Sequence, residues 1–264
     1  MTTPKYKLAV VAKTILLTGL TNAAISTFSL GDLTGPTGTG GGILNVANAN
    51  APGGNLQITV ASSVVSSTNN FHSGYGTTGN GGQATNSGNF GFIFGANTNT
   101  TSAAGNSATT LANYVQIDLC FSTPIFLNDL TVRDIDRSSS AANANFADTV
   151  WVEASNSTVP IPVSYSLSAT SGLEAIPWAN TTAYRAAVGS FGNTGVGNAD
   201  AHLMTSTSAL VDKVTVFINN SSTSQNGGEH GADLGAFITV DVVPEPTSAM
   251  LLAFSTAFWL RRKR

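Results

Sequence analysis

Alternation of hydrophobic and polar residues predicts β-strands along most of the chain between residues 56 and 243. In the clearest run, residues 115–121, every odd-numbered residue is apolar, whereas Gln116, Asp118 and Cys120 lie between them. Consecutive side chains of a strand point to opposite faces, so this run predicts a strand with one buried face. Residues 56–243 contain no stretch with helical periodicity and capping residues.

The pattern predicts about nine strands, at residues 56–60, 90–94, 115–121, 125–135, 148–154, 162–168, 184–190, 211–219 and 234–242. Turns rich in Gly, Asn and Ser separate them. Short strands at this spacing are typical of β-sandwiches and jelly rolls. We therefore predict an all-β fold of this kind, flanked by an N-terminal signal helix and a short C-terminal transmembrane helix.

The N-terminal end has the layout of a secretory signal peptide. Lys5 and Lys7 precede a mostly apolar stretch, residues 8–20, and small residues follow it. An ordinary N-terminal helix is the alternative interpretation. The pattern predicts an exported protein that passes through the export translocon.

Two signal cleavage positions satisfy the preference for small residues. Cleavage after Ala23 uses Thr21 and Ala23, and cleavage after Ser26 uses Ala24 and Ser26. The sequence alone leaves both open.

The C-terminal end carries a proline-rich motif, an apolar segment and a basic terminus. The motif consists of Pro244, Glu245 and Pro246, and the basic terminus consists of Arg261, Arg262, Lys263 and Arg264. A helix over residues 247–260 would span about 21 Å, which is shorter than the ~30 Å hydrocarbon core of a bilayer. The basic cluster predicts a cytoplasmic terminus, with everything before the span outside. A helix packed on the body is the alternative.

This arrangement resembles the PEP-CTERM sorting signal of Gram-negative bacteria. The resemblance covers about the last 22 residues, and Pro244, Glu245 and Pro246 correspond to its tripeptide. It implies that an exosortase, an integral membrane protease with a catalytic cysteine, cuts near the tripeptide. Two prolines favour extended backbone that a protease can reach. The resemblance thus implies a transient stay in the inner membrane, followed by transfer to the cell surface or extracellular matrix.

The two ends also divide the chain and its charge. We predict a signal peptide over residues 1–23, a Gly/Thr/Asn-rich linker over 24–54, a β-sandwich domain over 55–242 and the sorting signal over 243–264. Residues 24–246, which remain when the signal peptide and the apolar and basic tail are removed, keep four of the 11 basic residues but all 14 acidic ones, a net charge of −10. Such a body should repel nucleic acid and anionic membrane, so membrane contact is expected through the terminal helices alone.

One acidic cluster is a candidate metal site. Alternation places Asp134 and Asp136 on one strand face, and Asp148 follows after a polar loop. These strands loosely resemble a hairpin of secreted jelly-roll modules, some of which bind carbohydrate. With loop carbonyls the three carboxylates could hold Ca²⁺, which takes six to eight oxygens. Alternatively, Asp136 caps the turn and Asp134 pairs with Arg133 or Arg137.

A second acidic loop, containing Glu229 and Asp233, precedes the last predicted strand and is a candidate sugar- or ion-binding loop. A solvated turn is the alternative.

Three aromatic residues, Trp151, Trp178 and Tyr184, could stack on sugar rings or pack in the core.

Nothing in the sequence matches a catalytic motif of known mechanics, so we predict that the protein is not an enzyme. A glycosidase needs two facing carboxylates, and Asp134 with Glu153 or Glu174 leaves that option open. The single cysteine, Cys120, cannot form an internal disulfide and is interpreted as a small strand residue.

The sequence therefore predicts an exported cell-surface or extracellular-matrix protein with a structural or adhesive role in the exopolysaccharide layer. A lectin-like module that uses Ca²⁺ is the alternative, and a secreted glycan hydrolase is a third possibility. The partners implied are the translocon, exosortase and extracellular polysaccharide. No cofactor other than Ca²⁺ is suggested.

Overall fold

The computed structural model describes residues 23–30, 41–65, 71–75, 84–85, 89–96, 114–133, 135, 148–167, 172–178, 181–186, 202–220, 229–230 and 233–244. Across these ranges the chain forms sixteen β-strands and one 3-10 turn, Pro52–Gly54. The strands are β1 (Ala24–Phe28), β2 (Gly41–Ala47), β3 (Asn55–Val65), β4 (Phe71–Tyr75), β5 (Ala84–Thr85), β6 (Asn89–Ala96), β7 (Tyr114–Arg133), β8 (Asp148–Asn156), β9 (Val159–Ile161), β10 (Val163–Leu167), β11 (Leu173–Trp178), β12 (Thr181–Ala186), β13 (Leu203–Thr207), β14 (Val211–Asn220), β15 (Glu229–His230) and β16 (Asp233–Val242).

Strand β7 is the centre of one hydrogen-bonded, open network that includes all sixteen strands. Its first half pairs antiparallel with β3 and β14. Its second half pairs antiparallel with β13 and β16. The first half thus belongs to a group that runs β2, β3, β7, β14, β8, β12 and β11, and the second half to a group that runs β1, β16, β7, β13 and β10.

Both groups bury their apolar faces in one core. Ile117 and Leu119 from the first half of β7, and Leu127 and Leu130 from its second half, are all fully buried in the same cluster. Because one core joins the two groups, the arrangement is sandwich-like. Burial of this apolar surface is the main force that holds the sheets together.

A β-bulge keeps the long strand β7 in register with the core. Leu127 pairs with Val240, whereas Asp129 pairs with Thr239, so Asn128 is an extra residue without a partner in β16. An extra residue shifts the alternation of side chains by one position. Leu130 therefore points into the core, as Leu127 does.

The predicted all-β class is confirmed, and each of the nine predicted strands overlaps a strand of the structure. Two of them, at 115–121 and 125–135, form the single strand β7, because Pro124 does not end the strand. The predicted strand at 184–190 begins earlier, at Thr181. The strands that the pattern missed are short or lack a clear alternation: β1, β2, β4, β5, β9, β11, β13 and β15.

Two of the missed strands lie in the stretch 24–54, which was expected to be a linker. Strand β1 pairs with β16 over all five of its residues, and β2 pairs with β3 over seven. The glycines before β2 and the polar residues within β1 obscured the pattern. The sheet nevertheless includes β1 and β2, because they form backbone hydrogen bonds with β16 and β3 and bury Phe28 and Leu44.

The predicted signal helix, residues 1–23, lies outside the described residues except for Ala23, and the apolar tail, residues 247–260, lies entirely outside them. Within the ranges given above, the structure contains no helix that is long and apolar enough to cross a bilayer.

The two ends of the folded body meet at one corner. Ala24 pairs with Val242, so the first residue of β1 lies beside the last residue of β16. Asn48 Nδ2 donates to the carbonyl oxygen of Ala24 (3.2 Å), and Asn50 Nδ2 donates to that of Val242 (2.9 Å). We call Asn48 and Asn50 the asparagine clamp, because they hold both ends of the body.

Candidate functional site

The structure describes only some of the acidic residues that were predicted to bind a metal ion or another ligand. Asp134 and Asp136 lie outside the described residues, and Asp148 begins β8 opposite Asn220. Glu229 begins β15, and Asp233 begins β16. No three His, Cys, Asp or Glu side chains in the described part of the chain are grouped to hold a metal ion. The Ca²⁺ site therefore stays a prediction.

The sorting motif falls at the boundary of the described residues. Pro244 is the last of them, two residues after the end of β16. Glu245, Pro246 and the basic terminus, Arg261, Arg262, Lys263 and Arg264, lie beyond it.

A polar surface lies on the outer face of β7, β14 and β8, opposite to the core. Cross-strand pairing forms three rows on it: Gln116, Phe217 and Trp151; Asp118, Thr215 and Glu153; Cys120, Lys213 and Ser155. The alternation of the three strands requires this arrangement, because Val214, Val216 and Val152 occupy the opposite, buried face.

A cleft of about 520 Å³ opens next to this surface, where β8 lacks a continuous neighbour on one edge. β12 pairs with Thr149 and Val150 of β8, and β9 pairs with its residues from Ala154 onward. The polar residues around the cleft that matter chemically are Glu153, Ser155, Tyr165, Thr181, Lys213 and Thr215.

Tyr165 closes the gap on the edge of β8. Its hydroxyl donates to the carbonyl oxygen of Val152 (2.9 Å) and lies 3.1 Å from Thr181 Oγ1, and the Val152 N–H donates to it at 3.4 Å. Burial raises the pKa of the Tyr165 phenol, so it stays protonated and remains a donor. A side chain from β10 thus replaces the missing strand partner.

Asp118 is the most strongly held carboxylate of the surface. It accepts hydrogen bonds from Thr215 Oγ1 (2.8 Å) and Gln116 Nε2 (3.1 Å), and Lys213 Nζ lies 3.0 Å away. Burial raises the pKa of Asp118, but these hydrogen bonds and the charge of Lys213 outweigh it, so the pKa lies below its usual 3.8. Asp118 is therefore ionised and neutralises Lys213.

The pKa of Glu153 is shifted in the opposite direction to that of Asp118. Partial burial raises the pKa of its carboxyl above the usual 4.5, and the nearby Trp151 indole and the charge of Lys213 only partly counteract this. Because Lys213 forms its ion pair with Asp118, Glu153 is the less compensated carboxylate of the cleft.

Two of the three aromatic residues that could stack on sugars, Trp151 and Tyr184, pack against other aromatic rings. Trp151 lies on the face opposite to Val150 and Val152, but it is only 2% exposed and stacks on Phe217 with ring centroids 4.6 Å apart. Tyr184 packs against Tyr165, with centroids 4.9 Å apart. Trp178 ends β11, and its side chain lies outside the described part. Trp151 is thus a packing residue on this outer face, in a small cluster with Phe217 and Ala183.

Glu174 and Cys120, which the sequence analysis also singled out, lie in environments that do not favour a catalytic role. Glu174 forms an ion pair with Arg185 across β11 and β12, where Arg185 Nε donates at 2.6 Å. Cys120 lies in β7, as predicted, and burial raises the pKa of its thiol above the usual 9.0. A thiol held in its protonated form is a poor nucleophile.

The opposite pKa shifts of Asp118 and Glu153 predict opposite effects of neutralising each. Asp118 has a lowered folded pKa, so its contribution to stability is present above the unfolded value of 3.8 and is lost as the pH falls through the folded pKa. Asp118→Asn should lower the free energy of unfolding at pH 7 by about 1–2 kcal/mol. The effect should shrink toward pH 3.

Glu153→Gln is the matched variant for this test. Because the folded pKa of Glu153 is raised, the stability that it contributes is present below 4.5 and is lost as the pH rises through the folded pKa. Glu153→Gln should therefore leave stability at pH 7 unchanged or increase it. Urea unfolding of both variants at pH 3, 5 and 7 checks the pair; equal losses in both would refute the assignment.

Comparison with protein-family models, with curated proteins and with solved structures gave no match. Function is therefore argued from the residues of this chain. The cleft was not predicted from the sequence, because Lys213 of β14 is 60 positions away from Glu153 of β8 in the chain. The only available signal was the outward position of Glu153 and Lys213 in predicted strands.

Proposed function

We propose that this is an exported cell-surface or extracellular-matrix protein that exosortase sorts, with a structural or adhesive role in the exopolysaccharide layer of a Gram-negative bacterium. The observation that carries the proposal is the order of features at the C-terminus: Pro244, Glu245 and Pro246, then the apolar residues 247–260, then four basic residues. A span too short to be a comfortable permanent anchor fits a segment that is later removed.

The corner formed by β1 and β16 supports this proposal. The first and last residues of the folded body are neighbours, because Ala24 pairs with Val242. Only Val243 and Pro244 separate the end of β16 from Glu245. A body with both ends at one corner could stand on the membrane through both segments and present its motif to a membrane protease.

We also propose the finer architecture of a β-sandwich or jelly roll with a signal helix before it and a tail helix after it. The shared core of the two strand groups supports a sandwich. The terminal helices follow from the apolar stretches at 8–20 and 247–260.

Export is tested by disrupting the apolar stretch near the N-terminus. Leu16→Arg adds a second charge, beside Lys13, to residues 8–20 and should block entry into the membrane, because each charged side chain is costly there. The full chain should then accumulate in the cytoplasm by at least tenfold, as measured by fractionation and immunoblot of the host cells. Leu16→Ile is the matched control and should be exported normally. Normal export of Leu16→Arg would contradict the signal-peptide assignment.

A second candidate function is binding of a saccharide in the cleft beside β8. The carboxylate of Glu153 and the hydroxyl of Ser155 line the cleft and offer hydrogen-bonding groups of the kind that a hydroxyl-rich ligand needs. This site differs from the acidic loops of the lectin-like alternative and would need no Ca²⁺.

Calorimetric titration with oligosaccharides from the host's exopolysaccharide tests this second candidate. Glu153→Ala should weaken binding about tenfold, the equivalent of roughly 1.4 kcal/mol. Glu174→Gln, whose carboxylate is paired with Arg185 away from the cleft, is the control and should bind normally. Binding that EDTA abolishes and Glu153→Ala leaves intact would assign the ligand to the acidic loops instead. No binding by the unmodified protein would exclude both sites.

A further inference from the structure

We infer that the export peptide is removed after Ala23 and not after Ser26, so that the mature protein begins at Ala24, the first residue of β1. The inference rests on the proposed export of the protein. The preference for small residues allows both positions, whereas the fold distinguishes them.

Residues 24–26 are an integral part of the folded body. β1 pairs with β16 in five consecutive positions, three of which are Ala24, Ile25 and Ser26. Ser26 is only 6% exposed. Ala23, in contrast, is exposed and precedes the strand. The boundary between the body and what precedes it therefore lies between Ala23 and Ala24.

Asn48 recognises these residues directly. Its Nδ2 donates to Ser26 Oγ at 2.6 Å and to the Ala24 carbonyl oxygen at 3.2 Å. Asn48 is itself 5% exposed. Cleavage after Ser26 would remove both acceptors and leave a buried amide donor with neither of its bonds to β1, which is unfavourable.

Hydrogen bonds within the loop around Asn48 fix the position of its side-chain amide. Asn48 Oδ1 accepts from the N–H of Asn50 (2.9 Å), and the Asn48 N–H donates to the carbonyl oxygen of Gly54 (3.0 Å). Gly53 and Gly54 have φ of +69° and +78°, a conformation that favours glycine, and this lets the loop close. The asparagine clamp is thus a structural element whose donors point at the start of β1 and the end of β16.

Cleavage after Ser26 would also uncover β16. Only Thr27 and Phe28 would remain to pair with it, opposite Thr239 and Ile238. The backbone from Val240 to Val242 would then lose its partner on the β1 side and present an open strand edge, which promotes aggregation. A mature chain that begins at Ala24 avoids this exposure.

The test is to determine the N-terminus of the processed protein isolated from its host, by intact mass and N-terminal sequencing. The inference predicts a chain that begins at Ala24. A start at Thr27 would overturn it while leaving export intact. A start at Met1 or Thr2 would overturn the proposed export as well. Any other start would overturn the inference alone.

A matched pair of variants tests the same choice independently of the stability of the folded body. Ala23→Leu places a bulky residue just before the proposed cleavage point, whereas Ala24→Leu disturbs only the alternative site, which needs a small residue two positions before Ser26. Pulse-labelling measures conversion of the precursor before folding matters. We expect at least tenfold slower conversion for Ala23→Leu and normal conversion for Ala24→Leu. The reverse result would assign cleavage to Ser26.

Discussion

Removal of residues 247–264 is expected to abolish sorting and to release the body into the periplasm or the medium. The deletion removes the apolar segment together with the basic cluster that is expected to keep the terminus in the cytoplasm. The acidic body should have no affinity of its own for anionic lipid. Immunoblots of the inner-membrane, surface-layer and soluble fractions should show loss of nearly all of the surface-layer protein.

A motif variant separates anchoring from sorting. Replacement of Pro244, Glu245 and Pro246 by alanine keeps residues 247–264 and should leave the chain in the inner membrane at full length. The deletion and the motif variant thus predict different destinations for the same folded body. A deleted chain that still reached the surface layer in normal amount would show that the tail is not a sorting signal.

Leu127→Ala is expected to lower the free energy of unfolding by about 2–5 kcal/mol, the range for truncation of a buried leucine. Leu127 is fully buried on β7, the strand that belongs to both groups of the sheet. A cavity at this position weakens the packing that joins them. Because small domains have only about 5–15 kcal/mol of stability, much of the protein should be unfolded at moderate urea concentrations.

Asn128→Ala is the control for this prediction, since Asn128 is exposed and is the extra residue of the bulge. It should change stability by less than about 0.5 kcal/mol. Urea unfolding of the processed proteins, followed by tryptophan fluorescence, measures both variants. A change of less than 0.5 kcal/mol for Leu127→Ala would show that the two strand groups do not depend on a common core.

The alternating pattern was sufficient to predict the fold class but not the connections between strands. Ile117 and Leu119 indicate a buried strand face, because apolar residues at every second position are characteristic of a strand with one buried face. The same pattern breaks at Asn128, and only the pairing with β16 shows that the break is a bulge within one strand. β1 was missed because three of its five residues are polar or small and because its stability comes from β16 and Asn48.

The candidate sites were predictable to different degrees for a physical reason. The sorting motif is contiguous, so its order can be read in the sequence. The cleft depends on the side chain of Tyr165 reaching the edge of β8, a contact that no local pattern encodes. The stacking of Trp151 on Phe217 likewise depends on the pairing of β8 with β14, which brings together residues that are 66 positions apart in the sequence.

Ion pairs neutralise part of the small positive charge of the body and so weaken any attraction to anionic lipid. Two of the four cations of the body, Lys213 and Arg185, are paired with Asp118 and Glu174. They are therefore poorly placed to bind anionic lipid. Once the tail is cut, we expect nothing else in the described part of the body to retain it at the inner membrane.

The proposed sorting is tested by intact-mass spectrometry of the mature C-terminus, on protein isolated from the surface layer of its host. Cleavage by exosortase should give a chain that ends near Pro246, without the apolar segment and the basic cluster. A chain that still ends at Arg264 would contradict it and would make the C-terminal segment a plain anchor.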